Sequence, residues 1–98
     1  MENNMEYVLI TGASRGIGFG LVEEYLDAGD YYVFATCRTP DTATDLQALV
    51  NAHPNNASLI QLDISDVASI ESSLATVSEI TDVLDILINN GGLSINSI

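Results

Sequence analysis

A chain of 98 residues with 47% hydrophobic and only 16% charged side chains has enough apolar content for one small core and is too apolar for a disordered tail. Its net charge is −12, its only cations are Arg15 and Arg38, and it has no lysine, so it can build no basic patch for nucleic acid or for an anionic membrane surface. No apolar run approaches the ~20 residues that span a bilayer, and the N-terminal residues lack the basic and apolar regions of a secretory leader.

Residues 7–11 form a nearly continuous apolar run of the kind buried in a parallel sheet, and predict a first strand. The run passes directly into Thr11-Gly12-Ala13-Ser14-Arg15-Gly16-Ile17-Gly18, where helical periodicity begins among three glycines. A strand, a tight turn and a helix start in that order present free backbone N–H groups and the positive end of a helix dipole, which together suit a phosphate. Gly12 permits the sharp turn, Gly16 lets the backbone approach a pyrophosphate, and Gly18 lets the helix pack closely on the strand. Ser14, Arg15 and Ile17 sit in the same loop and join the candidate contacts. The bland alternative is a glycine-rich turn without a ligand.

The first helix begins at Gly16 or Ile17 and stops at Gly29, with apolar Ile17, Leu21, Val22, Tyr25 and Leu26 at helical spacing. Residues 31–37 are rich in β-branched and aromatic side chains and predict a second strand. Cys37 at its end is the lone cysteine; this excludes an internal disulfide, fits a reducing compartment such as the cytosol, and marks the side chain as a small core residue. Arg38-Thr39-Pro40-Asp41 is a loop. Thr42 and Asp45 have the spacing of a capping box that opens a second helix through about Ala52, with Leu46, Leu49 and Val50 toward the sheet. His53, the only histidine, sits at that helix end and is a partner for the last carbonyls or a surface residue rather than a catalytic base. Residues 58–62 predict a third strand, and Ser65 or Asp66 caps a third helix whose apolar stripe is Val67, Ile70, Leu74, Val77 and Ile80. Residues 84–88 predict a fourth strand running into Asn89-Asn90-Gly91-Gly92.

The βαβαβαβ alternation predicts an α/β fold: a parallel, Rossmann-type sheet with strand order 3-2-1-4, right-handed crossovers and helices on both faces, the doubly wound arrangement being incomplete. Residues 1–98 are then a single, partial dinucleotide-binding domain. In such sheets ligands lie beyond the carboxyl ends of the strands, and every candidate group falls there. Arg38 follows the second strand about twenty residues after the glycines, where a carboxylate would receive a ribose 2′-hydroxyl and an arginine accommodates a 2′-phosphate. Arg15 and Arg38 thus flank the same phosphate, and NADP(H) is expected over NAD(H). Asp63 either accepts from an adenine amino group, with Ile64 against the ring, or serves as a turn or capping aspartate. Asn90 and Gly91 either border the nicotinamide-side ribose or form an ordinary turn. No metal is expected.

The octet of residues 11–18, the step Leu62-Asp63-Ile64 and the run Leu87-Ile88-Asn89-Asn90-Gly91-Gly92 together resemble the signatures of the short-chain dehydrogenase/reductase family, with Gly91 where that family usually has alanine. Ala35-Thr36-Cys37-Arg38 is most similar to its C-factor and norsolorinic-acid-ketoreductase branch. The resemblance covers nearly all of residues 7–93, which is well under half of a family member. It implies NADP(H)-dependent interconversion of carbonyls and alcohols, in fungal relatives often of secondary metabolites. It also implies a catalytic Ser, a Tyr-x-x-x-Lys pair and a helper Asn, nearly all downstream of this segment. Tyr7, Tyr25, Tyr31 and Tyr32 fall in or beside core elements, and without a lysine the pair cannot be assembled. No catalytic residue is therefore assigned, and the segment alone is expected not to transfer hydride. The alternative is a non-catalytic NADP-binding remnant or interaction module, with the unpaired edge of the fourth strand as a self-association site. A flavodoxin-like signalling domain fits the sheet but not the glycine octet.

Overall fold

Four apolar stretches, β1 (Glu6–Ile10), β2 (Tyr31–Cys37), β3 (Ala57–Gln61) and β4 (Ile86–Ile88), pair in parallel in the computed structural model, which describes residues 5–90. The order is β3-β2-β1-β4, as the alternation predicts. The central strand β1 aligns Val8 with Val33 on one side and with Ile86 on the other. Three helices connect the strands: α1 (Gly16–Ala28), α2 (Thr44–Asn51) and α3 (Val67–Ile80).

Strand alternation sorts the core into two clusters. Val8, Ile10, Val33, Ala35 and Cys37 pack with Val22 and Leu26 of α1 and with Leu46 and Val50 of α2. Leu9, Phe34, Ile60 and Leu62 pack with Val77 of α3 on the opposite face. Successive side chains of a strand point to opposite faces, so each strand feeds both clusters. Among the described residues, no helix is long and apolar enough to cross a membrane.

Several local expectations are corrected. β1 and β3 each begin and end one residue earlier than the apolar runs, and β4 begins at Ile86 rather than at Leu84. The cause at β4 is Asp85: its N–H donates to the Tyr7 carbonyl at 2.9 Å while its Oδ2 accepts from the Tyr7 N–H at 2.8 Å, so a side chain takes the place of a strand carbonyl. The capping box at Thr42 does not form. Pro40 opens a single 3-10 turn (Pro40–Thr42), and the Thr42 hydroxyl donates to the Thr39 carbonyl at 3.2 Å, which leaves Ala43 as the start of α2 without a side-chain cap. At α3 the cap is Asp66, whose Oδ1 accepts from the Ala68 N–H at 3.0 Å. His53 sits where a C-terminal partner belongs, its Nδ1 3.0 Å from the Leu49 carbonyl oxygen.

The α3 stripe is also turned. Ser69, Ser73 and Val77 face inward, while Val67 and Leu74 are 69% and 54% exposed. The inward serines are small and hydrogen-bonded, Ser73 to the Ile70 carbonyl of its own helix at 2.8 Å and Ser69 to Gln61 of β3 at 2.9 Å, while Val77 and Ile70 pack into the core on the same side. Together with Leu84 and Leu87, Leu74 forms an apolar strip beside β4. On α1 the inward line is Gly18, Val22 and Leu26, and Ile17, expected on the apolar face, stands out into solvent.

Close packing of α1 on β1 depends on Gly18. A Cβ there would collide with the Gly12 carbonyl oxygen, lie 2.9 Å from the Gly12 carbonyl carbon and sit 2.6 Å from Asn90 Nδ2. Gly18→Ala should therefore lower stability by about 1–3 kcal/mol in urea unfolding, the usual range for overpacking. Gly20→Ala, which meets open space in the same helix, should raise it by about 0.5–1 kcal/mol. Equal effects of the two substitutions would refute the close-approach account.

Candidate functional site

Past Ile10 the chain leaves β1 while staying tied to both neighbouring strands. The Thr11 N–H donates to the Ile88 carbonyl at 3.0 Å, and the Ala13 N–H donates to the Thr36 carbonyl at 2.9 Å. The Thr36 hydroxyl donates in turn to the Ile10 carbonyl at 3.0 Å. Gly12 and Gly16 both have φ of 63°, a left-handed conformation that side chains disfavour, and the loop turns at these two points. Ala13, fully buried between them, anchors the loop to the core.

The helix that follows is uncapped. Arg15 is its N-cap residue and makes no side-chain cap. The first bond of the helix runs from the Phe19 N–H to the Arg15 carbonyl at 3.4 Å, so the N–H groups of Gly16, Ile17 and Gly18 are not used by the helix. They carry the positive end of the α1 dipole.

A cavity of about 340 Å³ opens over this turn, at the carboxyl ends of β1, β2 and β3. Its wall brings together Gly12, Ser14, Arg15, Gly16, Arg38, Ile64 and Asn90, all of them singled out by sequence. A second cavity of about 430 Å³ shares Ser14, Arg15, Cys37 and Arg38 with it and extends toward Thr39, Thr44 and Asp45. Ile17 is exposed beside the mouth, Gly18 is buried behind the loop, and Asp63 adjoins Ile64 without lining the wall. Gly91 lies outside the described residues.

Three further residues, Thr11, Cys37 and Leu62, line the cavity and were not expected there. Each stands at or just past the end of a parallel strand, and that position was the available signal. Cys37 is both core and wall. Burial pushes its thiol up from the ordinary value, against a smaller opposite pull from the Thr39 backbone, which keeps the thiol neutral.

The charges of the site are unevenly satisfied. Arg15 and Arg38 form no salt bridge among the described residues, although the chain carries 14 carboxylates. Asp63 does have partners: its Oδ1 accepts from the Ser65 hydroxyl at 2.6 Å and from the Ser65 N–H at 3.0 Å. These bonds hold its carboxyl below the usual carboxylate range, with a smaller contribution from Arg38. The turn role for Asp63 is thus realised, and its Oδ2 accepts no hydrogen bond among the described residues. Asn90 donates through Nδ2 to the Gly12 carbonyl at 3.2 Å, and the Thr11 hydroxyl donates to Asn89 Oδ1 at 2.9 Å, so the end of β4 is strapped to the glycine turn. Among the described residues, no group of three or more His, Cys, Asp or Glu is placed to hold a metal.

Known proteins are similar to this chain in sequence and fold. The family model described as short chain dehydrogenase matches residues 6–98. The short chain dehydrogenase gsfK of Penicillium aethiopicum is 39% identical over 88 residues, covering 89% of this chain and 35% of that protein. The NADPH-bound carbonyl reductase from chicken fatty liver matches with a TM-score of 0.84 and 41% identity, over 99% of this chain and 38% of its own. A carbonyl reductase from Pseudomonas aeruginosa PAO1 in complex with NADP matches with a TM-score of 0.74 and 34% identity, over 91% of this chain and 39% of its own. The chain therefore spans less than two-fifths of the length of these relatives. Since the family model matches nearly the whole of the 98 residues, the chain belongs to the short-chain dehydrogenase family.

Proposed function

We propose that these residues form the NADP(H)-binding part, a single partial domain, of a reductase that interconverts carbonyl and alcohol groups. The observation that carries the reading is the pair Arg15 and Arg38, the only cations of the chain, lining one cavity with no salt bridge among the described residues. In a chain this acidic, two guanidinium groups brought to one cavity and left without a salt bridge among the described residues favour an external anion. The 2′-phosphate of NADP(H) fits that demand. The unused N–H groups at the start of α1, with open space around Gly16, fit a pyrophosphate held by Gly12, Ser14, Gly16, Ile17 and Gly18.

In this reading Asp63 and Ile64 receive the adenine, and Asn90 with Gly91 borders the nicotinamide-side ribose. Bound NADPH would supply a hydride to a carbonyl carbon. The residues of this chain bind and orient it; they contain no lysine for the family's Tyr-x-x-x-Lys pair, so this segment is expected to bind cofactor without reducing a substrate. The NADPH and NADP bound by the two carbonyl reductases support the cofactor assignment. A reducing, cytosolic setting belongs to the same reading and is supported by the buried free thiol of Cys37.

A charge-assisted hydrogen bond contributes roughly 1.5–3 kcal/mol, and each ~1.4 kcal/mol is tenfold in affinity. Calorimetric titration should therefore show NADPH binding about ten to a hundred times more tightly than NADH. Arg38→Asp should abolish that preference. An unchanged NADPH-to-NADH ratio in Arg38→Asp would sink the 2′-phosphate assignment.

Ionisation makes Asp63 the stronger acceptor for an adenine amino group, and its Ser65 bonds favour that state. Because its carboxyl is more acidic in the folded chain than the ordinary ~3.9 of an unfolded Asp, its contribution to stability is complete above that value and is lost as pH falls through the lowered folded one. NMR titration of the Asp63 carboxyl carbon should give a midpoint below the usual range, and Ser65→Ala should move it upward. A midpoint unmoved by Ser65→Ala would refute the cause.

The apolar strip of Leu74, Leu84 and Leu87 beside the open edge of β4 favours one further reading, self-association of the isolated chain. Analytical ultracentrifugation should show concentration-dependent oligomers. A compact monomer throughout would contradict it.

A further inference from the structure

The backbone ladder between β2 and β3 ends with the Leu62 N–H donating to the Cys37 carbonyl at 2.9 Å. One step further, the Arg38 carbonyl and the Asp63 N–H no longer meet a strand partner, yet neither is left unpaired. The Asp63 N–H donates to Ser69 Oγ at 2.8 Å, and the Ser69 hydroxyl donates to Gln61 Oε1 at 2.9 Å. The Gln61 side-chain amide then donates through Nε2 to the Arg38 carbonyl at 3.2 Å. Two side chains thus carry the ladder across the gap between two loops. Ser69 is buried and uses its hydroxyl as both donor and acceptor, so no other local group replaces it. All the donors point from the β3 loop toward the β2 loop, the alignment in which a hydrogen-bond chain strengthens itself.

We propose that Ser69 and Gln61 are positioning residues that fix the distance between the loop of Arg38 and the loop of Asp63, and so set recognition of an adenosine 2′-phosphate. The inference rests on the NADP(H) reading above. Adenine and the 2′-phosphate hang from one ribose, so the two loops that meet them must keep one separation. Backbone pairing does not reach far enough to hold it, and the Ser69–Gln61 relay does. Gln61 acts on the Arg38 side alone, whereas Ser69 acts on both sides.

The relay is tested on the full 98-residue chain with 2′,5′-ADP and 5′-AMP as probes, at a temperature where every variant is folded by circular dichroism. Gln61→Met, at an exposed position, should weaken 2′,5′-ADP about tenfold while leaving 5′-AMP binding as in the wild type. Ser69→Ala should weaken both probes, and Ser69→Thr, which keeps the hydroxyl, should restore them. Amide exchange at Asp63 should speed up in Ser69→Ala and stay slow in Gln61→Met. If the wild type binds both probes and Gln61→Met and Ser69→Ala bind them equally well, the proposal is overturned while the cofactor reading stands. If the wild type binds neither probe although Asp63 exchange still responds to Ser69→Ala, the cofactor reading has failed and the relay is structural only. Equal loss of both probes in Gln61→Met would mean general loosening of the fold and would also overturn the proposal.

Discussion

The carbonyl group of Gly12 is the point on which the site depends. The first turn of α1 lies against it because Gly18 has no side chain, and the amide of Asn90, 78 positions away in sequence, donates to it. Strand β1, helix α1 and the end of β4 therefore meet at one peptide group. That meeting fixes where the free N–H groups of α1 point and where Asn90 stands in the cavity wall. Small displacements there are poorly tolerated, because interiors are packed at crystal-like density. The two left-handed glycines complete the constraint by turning the chain without crowding the cavity.

The rest of the molecule satisfies its polar groups carefully, which makes the exceptions informative. Asp85 completes the β1–β4 ladder, Asp66 caps α3, and buried Thr36 ties β2 to the end of β1. Against that background the uncapped start of α1 meets Arg15 and Arg38, neither in a salt bridge among the described residues, at the wall of one cavity. At that cavity a ligand would complete what the chain leaves open.

How much of this the sequence discloses varies with the range of the interactions involved. β2 is written in its own β-branched and aromatic residues, and its bounds need no correction. The strand order follows from alternation and handedness, which are general to parallel sheets. Most of the cavity wall is legible for the same reason, since it consists of residues just past strand ends. Features that depend on tertiary partners are not legible. Thr42 and Asp45 have the spacing of a cap, but the Pro40 turn occupies the threonine hydroxyl first. The apolar periodicity of α3 implies one buried face, whereas the buried residues are Ser69, Ser73 and Val77, with Ser69 bonded across to Gln61 of β3. Cys37 belongs to both the core and the cavity, and its residue type signals only the first.

The placement of the two guanidinium groups also bears on kinetics. A molecule of net charge −12 repels a polyanionic ligand at long range, while Arg15 and Arg38 make a small well of opposite sign at the cavity. Salt acts on these two fields unequally, because screening over about 8 Å at physiological ionic strength removes distant repulsion before it weakens close contact. Capture of a nucleotide phosphate would then quicken as salt is added, and escape would quicken too once the arginine contacts are themselves screened. Under the proposed cofactor reading, binding would therefore be tightest at an intermediate ionic strength, in contrast to the steady decline with salt of a uniformly basic site.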